Sequence, residues 1–473
     1  MQFTQEIKRL TFGLLVAFGM VALAAAYWGT IGTSTITRRD DNPRNVEIET
    51  HLHRGLIVDR DNQTLVQSVF ADDQIGQRQY LAPTFYSALG YASYRYGVSG
   101  AEEAFNTLLR GDDRQPPLID QWMNGLLHRP QIGSDIMLSF DSGVQETADR
   151  LMEGKRGAIV VLSVPTGQIL TMLSLPTFDP NTLDANWSDL TQSPEKPFFN
   201  RALQGAYQPG GLLQLPLAAA AILTRHPSDA PIPNAAQRVR LNNIELGCAA
   251  APPTEMLSLR QAFAYGCPYP FAQLAEVLGI DTVQAVLTAF HLQERLPLEG
   301  YIRIPQGLRP PTLNLNAENL LETTMGQGAL QIAPLQMAVL AAAILNDGNA
   351  PVPYTLLAVR PPGITTWEDR INHNASPIPL ITSEVASQMR AWMRDAVSYG
   401  AAAAAGRKAY DIGGQVARSF SGQGSQVWFI GFAALGGRNG VTVAVVLEDT
   451  DDSALAAQIG GEVLTAATHI TTH

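Results

Sequence analysis

From Leu10 to Ile31 the chain carries no charged residue, and Lys8 and Arg9 stand immediately before that run. Crossing the hydrocarbon core of a bilayer takes about 20 predominantly apolar residues in a helix, so this segment is long enough to span one. Everything after it must then fold on one side of a membrane. Lys8 and Arg9 favour a cytoplasmic N-terminus, although Arg38 and Arg39 on the far side weaken the asymmetry. A signal anchor is the expected form. Two rivals stay open: a cleaved signal peptide, for which Ala22 to Ala26 supplies small residues near a cleavage point, and a buried core helix of a soluble protein.

Beyond residue 32 or so the chain would lie outside the cytoplasm, where disulfides can form. Its two cysteines, Cys248 and Cys267, fit one bridge closing a short surface loop. Two small buried thiols are the alternative. A catalytic cysteine is disfavoured because no histidine lies close in sequence to either one, and the eight histidines are too scattered to suggest a metal site. A net charge of -11 without a clustered basic face argues against nucleic acid as a partner. At 473 residues, 46% of them hydrophobic, the chain has material for a sizeable core and for about two or three domains. Glycine and proline are dispersed, no fixed-period repeat is present, and Ala401 to Ala405 is the only low-complexity run.

Past the anchor, local patterns recur that carry their own structural meaning. Gly157 to Leu162 and Ile169 to Ser174 read as a strand pair around the turn Pro165, Thr166 and Gly167, and Val144, Ala148 and Leu151 recur at helical spacing. Arg54 to Asn62 reads RGLIVDRDN, Gly90 to Glu102 reads GYASYRYGVSGAE, and Pro176 to Asn181 reads PTFDPN. Met325 to Ala338 reads MGQGALQIAPLQMA, and the chain closes on the apolar runs Val427 to Ala433 and Val443 to Glu448, with a terminal helix near Leu455 to Ala467. Together these segments resemble the class B, monofunctional penicillin-binding transpeptidases along nearly the whole chain: the family's GAxVxLxPxTGxILAMxSxPxFDPN pattern is nearly complete, and the others are similar to its RGxIxDRNG, with Gln63 here at the family's next glycine, GYYSxxYGxTGLE and IGQGxLxVTPLQMA.

The resemblance implies an α/β (α+β) fold: a transpeptidase-like, serine β-lactamase-like domain over 136–473 with a mainly antiparallel five-stranded sheet flanked by helices. A small pedestal of the dimerisation type over 33–135 and a tip plus transmembrane anchor over 1–32 would precede it. It also marks where the family's SxxK, SxN and KTG motifs should stand, and each position departs from them. Tyr207 to Gln214 aligns with YPPGSxxK, which puts Gly211 at the nucleophilic serine and Gln214 at the lysine one helical turn on. An alcohol needs an adjacent base to become a nucleophile; glycine offers no alcohol, and a carboxamide cannot take the proton. The second motif aligns with Gly266, Cys267 and Pro268, which offer neither the relay hydroxyl nor the substrate-binding amide. Counting back from the Trp428 strand places the third at Asp411, Ile412 and Gly413. An aspartate at the lysine position would repel a substrate carboxylate.

Replacements for the lost chemistry are not evident. Ser193, Pro194, Glu195 and Lys196 satisfy SxxK by letter, but the flanking prolines disfavour an interior helix there. Ser419, Ser421 and Ser425 read as turn serines after the third-motif strand, beside glycines 422 and 424. Pro216 falls in the first turns of the Gly211 helix, and Leu212, Leu213, Leu215 and Leu217 make that segment core-like, an apolar groove for a partner peptide being the other reading. The expectation is therefore a membrane-anchored, penicillin-binding-type protein that has lost acyl transfer, needs no cofactor, and serves peptidoglycan synthesis or division as a binding or regulatory subunit. The family works with polytopic SEDS-type glycosyltransferases, and stem peptides are a further candidate ligand. An active transpeptidase or carboxypeptidase with unconventional residues and a purely structural envelope protein are the competing classes.

Overall fold

The computed structural model describes residues 2–27, 52–70, 76–114, 130–293, 298, 313–371, 375–421 and 424–469. Strand Gly157–Val164 is buried at every residue and strand Ile169–Leu175 at all but its last. Continuous Val, Ile and Leu runs of this kind suit a strand covered on both faces. They form one side of an antiparallel five-stranded sheet whose order is Asp411–Ser421, Gly424–Gly436, Asn439–Glu448, Gly157–Val164, Ile169–Leu175. Alternation divides its side chains between two cores. Val160, Leu162, Trp428, Ile430, Phe432, Ala444 and Val446 join the core containing helices Gln214–Leu223 and Pro334–Leu345. Ile159, Val161, Val427, Phe429, Val443 and Val445 pack instead with helices Ser142–Leu151 and Ser453–Thr468. Each large apolar side chain buried this way contributes about 1.5–3 kcal/mol, so the sheet is the framework on which everything else is hung.

A second sheet joins residues distant in sequence. Strand Asp135–Leu138 runs parallel to Ile57–Val58 and antiparallel to Leu356–Arg360, and Ile57 and Val58 in turn face Val66 and Thr64. Residues Arg54–Ser68, Arg78–Gln115 and Gly133–His473 accordingly form one compact unit. Met1–His53, Val69–Gln77 and Pro116–Ile132 make up the other. In that unit helix Gln2–Tyr27 is long and apolar enough, over Ile7–Tyr27, to cross a membrane. Residues 28–31, the end of the uncharged run, lie outside the described residues.

Two local expectations change. The serines assigned to a loop after the third-motif strand are strand residues: the hairpin register pairs Ser419 with Gln426 and Phe420 with Ser425, and Ser421 faces Gly424. Ser419 is buried, its hydroxyl donating to Gln426 Oε1 at 3.3 Å; residues 422 and 423 lie outside the described residues. Ser193, by contrast, does end a helix as a loop residue, its hydroxyl accepting from the Glu195 N–H at 3.3 Å while Lys196 is exposed with φ 49°.

The Arg54 to Asn62 and Gly90 to Glu102 segments meet through a buried ion cluster. Glu102, 0% exposed, accepts from Arg54 Nε and Nη2 at 3.1 and 2.7 Å and from Arg78 Nε at 2.6 Å. Burial pushes its carboxyl up, but the charges and hydrogen bonds of Arg78 and Arg54 outweigh that and leave it below the ordinary glutamate range. A folded-state value below the unfolded one stabilises at neutral pH, and the stabilisation is lost as pH falls through the folded-state value. Glu102→Gln should cost roughly 3–5 kcal/mol at pH 7, because two buried guanidinium groups lose their counter-ion. Thermal unfolding of the full chain should show the gap between wild type and variant narrowing below about pH 4; a gap independent of pH would contradict this role.

Candidate functional site

The segment from Tyr207 to Gln214 is held from several directions before its chemistry is considered. Tyr207 exchanges backbone hydrogen bonds with Ile332, its N–H at 3.2 Å and its carbonyl at 2.8 Å. Its hydroxyl donates to Glu448 Oε1 at 2.7 Å, and its ring stands edge-on to Trp428. Burial first, and then the Glu448 charge, push that phenol far above its ordinary range, so it stays a neutral donor. Trp428 Nε1 donates to the Gln208 carbonyl at 3.0 Å, and Gln208 Nε2 donates to the carbonyls of Gln327 and Gly328 at 2.7 and 3.0 Å. The Met325 to Ala338 segment is thus the loop that fixes the first-motif segment in place.

Local geometry explains how Pro216 fits. Residues Gly210–Leu213 form a 3₁₀ turn, and the α-helix begins only at Gln214. Pro216 therefore falls in the first turn of the α-helix, where backbone N–H groups have no intrahelical acceptor and proline removes nothing that is used. Gly210 has φ 54°, and a Cβ there would lie 2.0 Å from the Arg418 carbonyl, so the turn is pressed against the edge strand Asp411–Ser421. Gly211 is different: an added Cβ would meet nothing nearer than Ala417 Cβ at 3.6 Å. There is room for a side chain at this position, and none is present.

The lysine position of the first motif is occupied by a buried amide. Gln214 is 3% exposed; its Nε2 donates to the Cys267 carbonyl at 3.4 Å, and its Oε1 accepts from Gln415 Nε2 at 3.5 Å. Gln415 is fully buried, and the same nitrogen donates to the Phe263 carbonyl at 2.9 Å while its Oε1 accepts from the Val416 N–H at 3.1 Å. Two neutral carboxamides thus join the helix, the edge strand and the turn before helix Pro268–Ala289. A carboxamide at neutral pH neither gives nor takes a proton, so this arrangement can hold polar groups in place but cannot generate a nucleophile.

Gly211, Gln214, Gly266 and Pro268 line one cleft of about 200 Å³, and Cys267 contributes its carbonyl from just beneath. Cys267 is joined by a disulfide to Cys248, which lines the cleft two residues after the hairpin Val239–Leu241 and Ile244–Leu246. Gly266 caps the preceding helix with φ 63°, and a Cβ there would come within 2.8 Å of Ala249 Cβ. Unlike Gly211, this second-motif position has no room for a hydroxyl-bearing side chain.

The third-motif expectation is corrected. Asp411, Ile412 and Gly413 are at the far end of the edge strand and do not line the cleft. Asp411 is on the surface, with both carboxylate oxygens bonded to Arg394 at 2.6 Å. The strand residues at the cleft are Val416, Ala417, Arg418 and Phe420, with Gln415 behind them on Gln214. The register pairs Ala417 with Trp428 and runs unbroken to Ser421 opposite Gly424, which brings a segment nearer to Trp428 than Asp411 to the cleft. Gln415 was missed. Its sequence signal is faint: a lone amide alternating with Gly413 and Ala417 in a strand of small and apolar residues. The cleft consequently carries an arginine where an aspartate was expected. Among the described residues no group of three or more His, Cys, Asp or Glu could hold a metal ion.

Comparison with known proteins matches this geometry to a family. The profile described as Penicillin binding protein transpeptidase domain matches residues 157–465, and that of the Penicillin binding protein A dimerisation domain matches 54–136. A relative named peptidoglycan D,D-transpeptidase PbpA, from Mycolicibacterium smegmatis, is 27% identical over 498 residues that cover 98% of each chain. Penicillin-binding protein A of M. tuberculosis, solved as an imipenem acyl-enzyme complex, superposes with a TM-score of 0.73 at 25% identity, covering 89% of this chain and all of that one. The D,D-transpeptidase domain of a peptidoglycan glycosyltransferase from Eggerthella lenta shares the fold with a TM-score of 0.76 at 24% identity, covering 89% of this chain and 99% of that chain.

Space and hydrogen bonding set opposite expectations for substitutions across the cleft. Gly211→Ser should leave the unfolding free energy within about 0.5 kcal/mol of wild type. Gly266→Ser should cost about 1–3 kcal/mol through the left-handed backbone and the Ala249 contact, and Gln415→Leu about 1–3 kcal/mol by stranding the Phe263 carbonyl and the Gln214 amide. Chemical denaturation ranks all three; a Gly211→Ser penalty as large as that of Gly266→Ser would contradict the described packing.

Proposed function

The chain belongs to the penicillin-binding protein transpeptidase family, and from that membership we propose that it serves peptidoglycan synthesis as a non-catalytic binding or regulatory subunit. One observation carries the reading: Gly211, at the position aligned with the family's serine, stands next to a Gln214–Gln415 amide pair where the chemistry needs an activated base. In another serine hydrolase, removing the nucleophile alone lowers turnover by on the order of a millionfold. Here the base at Gln214, the relay groups at Gly266 and Pro268, and any lysine on the cleft segment of the edge strand are missing as well. The M. tuberculosis relative forms an acyl-enzyme; on this reading the present chain keeps that fold without the acylation step.

The rest of the molecule supports retention for binding. The packed sheet, the loop bonds around Gln208 and the buried Gln415 are intact, so the cleft is built and shaped. Helix Gln2–Tyr27 supplies the membrane anchor, with the bulk of the chain on the outer side of the plasma membrane. The partner is a polytopic, SEDS-type glycosyltransferase or another membrane protein of envelope synthesis.

Affinity purification of the full chain from native membranes should co-enrich such a polytopic enzyme over a control bearing only residues 1–32. Deleting the gene should alter growth or cell shape. Equal recovery by the anchor-only control, together with an unaltered deletion strain, would count decisively against the proposal.

A further inference from the structure

Residues 228–257 make an excursion between helices Gln214–Leu223 and Leu259–Tyr265, and much of its bonding stays within it. Ile232 and Leu257 exchange backbone hydrogen bonds at 2.8 and 3.3 Å, and the Ala235 N–H donates to the Glu255 carbonyl at 2.8 Å. In the hairpin Val239–Leu241 and Ile244–Leu246, Glu245 accepts from Arg240 Nη2 at 2.6 Å and from Arg238 Nη1 at 3.4 Å. Val239, Leu241 and Leu246 seat that hairpin on the main core. Among the described residues, the backbone ties from the excursion to the neighbouring helix lie at its two ends. The Arg260 N–H donates to the Ser228 carbonyl at 3.2 Å, and the N–H groups of Ala249 and Ala250 donate to the carbonyls of Gly266 and Tyr265 at 3.3 and 3.1 Å. The Ala249 and Ala250 bonds adjoin the Cys248–Cys267 disulfide, so the bridge and these bonds close one junction.

The two cysteines differ in how they are held. Cys267 is 0% exposed and fixed on both sides: its N–H donates to the Ala262 carbonyl at 2.8 Å, and its carbonyl accepts from Gln214 Nε2 at 3.4 Å. It also opens helix Pro268–Ala289, and the positive end of a helix dipole lowers the cost of a thiolate. Cys248 is half-buried, lines the cleft and belongs to the excursion. An external thiolate therefore meets Cys248, and Cys267 is the better leaving group. Once the bridge is open, Cys267 keeps its place and the Cys248 side is free to move.

We infer that the Cys248–Cys267 bridge is a reducible latch: a dithiol reductant attacks Cys248, and reduction releases residues 228–257 from the helix end on which they close. In the first step a sulfur–sulfur bond forms between the reductant and Cys248 while the protein bridge breaks and Cys267 leaves as a thiolate. The reductant's second thiol then displaces Cys248. The reductant ends as a disulfide, and its two protons end on Cys248 and Cys267. These are the chain's only cysteines, so reoxidation can restore no other intramolecular pairing. The inference concerns one wall of the cleft and no ligand, and it does not depend on the non-catalytic reading.

The bridged cysteines are 19 residues apart, a loop length whose closure restrains opening by on the order of a hundredfold. Hydrogen exchange followed by mass spectrometry on the full chain in detergent tests this. After dithiothreitol, amides of residues 232–257 should exchange faster by on the order of a hundredfold, while those of strands Gly157–Val164 and Asn439–Glu448 should keep their rates. Reoxidation should restore protection, and Cys248→Ser should show the reduced pattern with or without dithiothreitol. A thioredoxin whose resolving cysteine is replaced by serine should be trapped as a mixed disulfide on Cys248, with Cys267 recovered as the alkylated thiol. A bridge that resists dithiothreitol in the folded protein, unchanged exchange after reduction, or sheet amides that accelerate in step with the excursion would overturn the assignment of a local latch. A trapped adduct on Cys267, or none, would overturn the assignment of Cys248 as the sulfur attacked.

Discussion

The carboxamide of Gln415, fully buried on the edge strand, is the contact on which the cleft depends. It reaches the Phe263 carbonyl, the Gln214 side chain and the Val416 N–H at once. An amide can do this because it carries two donors and an acceptor with no net charge. A lysine at Gln214 or Gln415 would bring a charge into a site where Glu245, the cleft's one carboxylate, is bound elsewhere, and an ion buried without a partner is strongly disfavoured. The neutral pair and the glycine at position 211 are therefore consistent with each other: with amides at Gln214 and Gln415, no buried charge at these two positions needs a counter-ion.

The surrounding fold explains why such a site can persist. Both faces of the five-stranded sheet are covered by helices, and the first-motif segment is pinned by the Gln327–Gly328 loop, by Trp428 and by Glu448. None of these contacts uses a catalytic group. A glycine at position 211 leaves them untouched, and with its φ outside the left-handed range it adds no strain. Gly266 is different in kind, since its backbone is left-handed and an added Cβ would come within 2.8 Å of Ala249 Cβ, beside the Cys248–Cys267 bridge. One position has room for a side chain, and the other has none.

Much of this was legible in the sequence, for physical reasons that differ by element. The strands Gly157–Val164 and Asn439–Glu448 announce themselves because a strand buried on both faces must be a continuous apolar run. The places of Gly211, Gln214, Gly266 and Pro268 followed from the dense patterns around them, and all four line the cleft. The cysteine pairing could be suggested but not fixed, since buried thiols fit the same sequence. The third-motif position failed because a hairpin's register depends on how tightly it turns, which the apolar pattern does not encode; a turn between Ser421 and Gly424 moves the cleft segment from Asp411 to Gln415–Arg418. That shift replaces an apparent negative charge in the cleft with a positive one, and so reverses the electrostatic reading of what the pocket can accept.

The central claim is that the cleft performs no acyl transfer. Its most direct test is the intact mass of the full chain after prolonged incubation with a β-lactam such as imipenem, beside an active penicillin-binding protein as a positive control. The account predicts an unmodified mass for this chain under conditions that label the control completely. A stoichiometric adduct that survives denaturation, mapped to any residue lining the cleft, would contradict it.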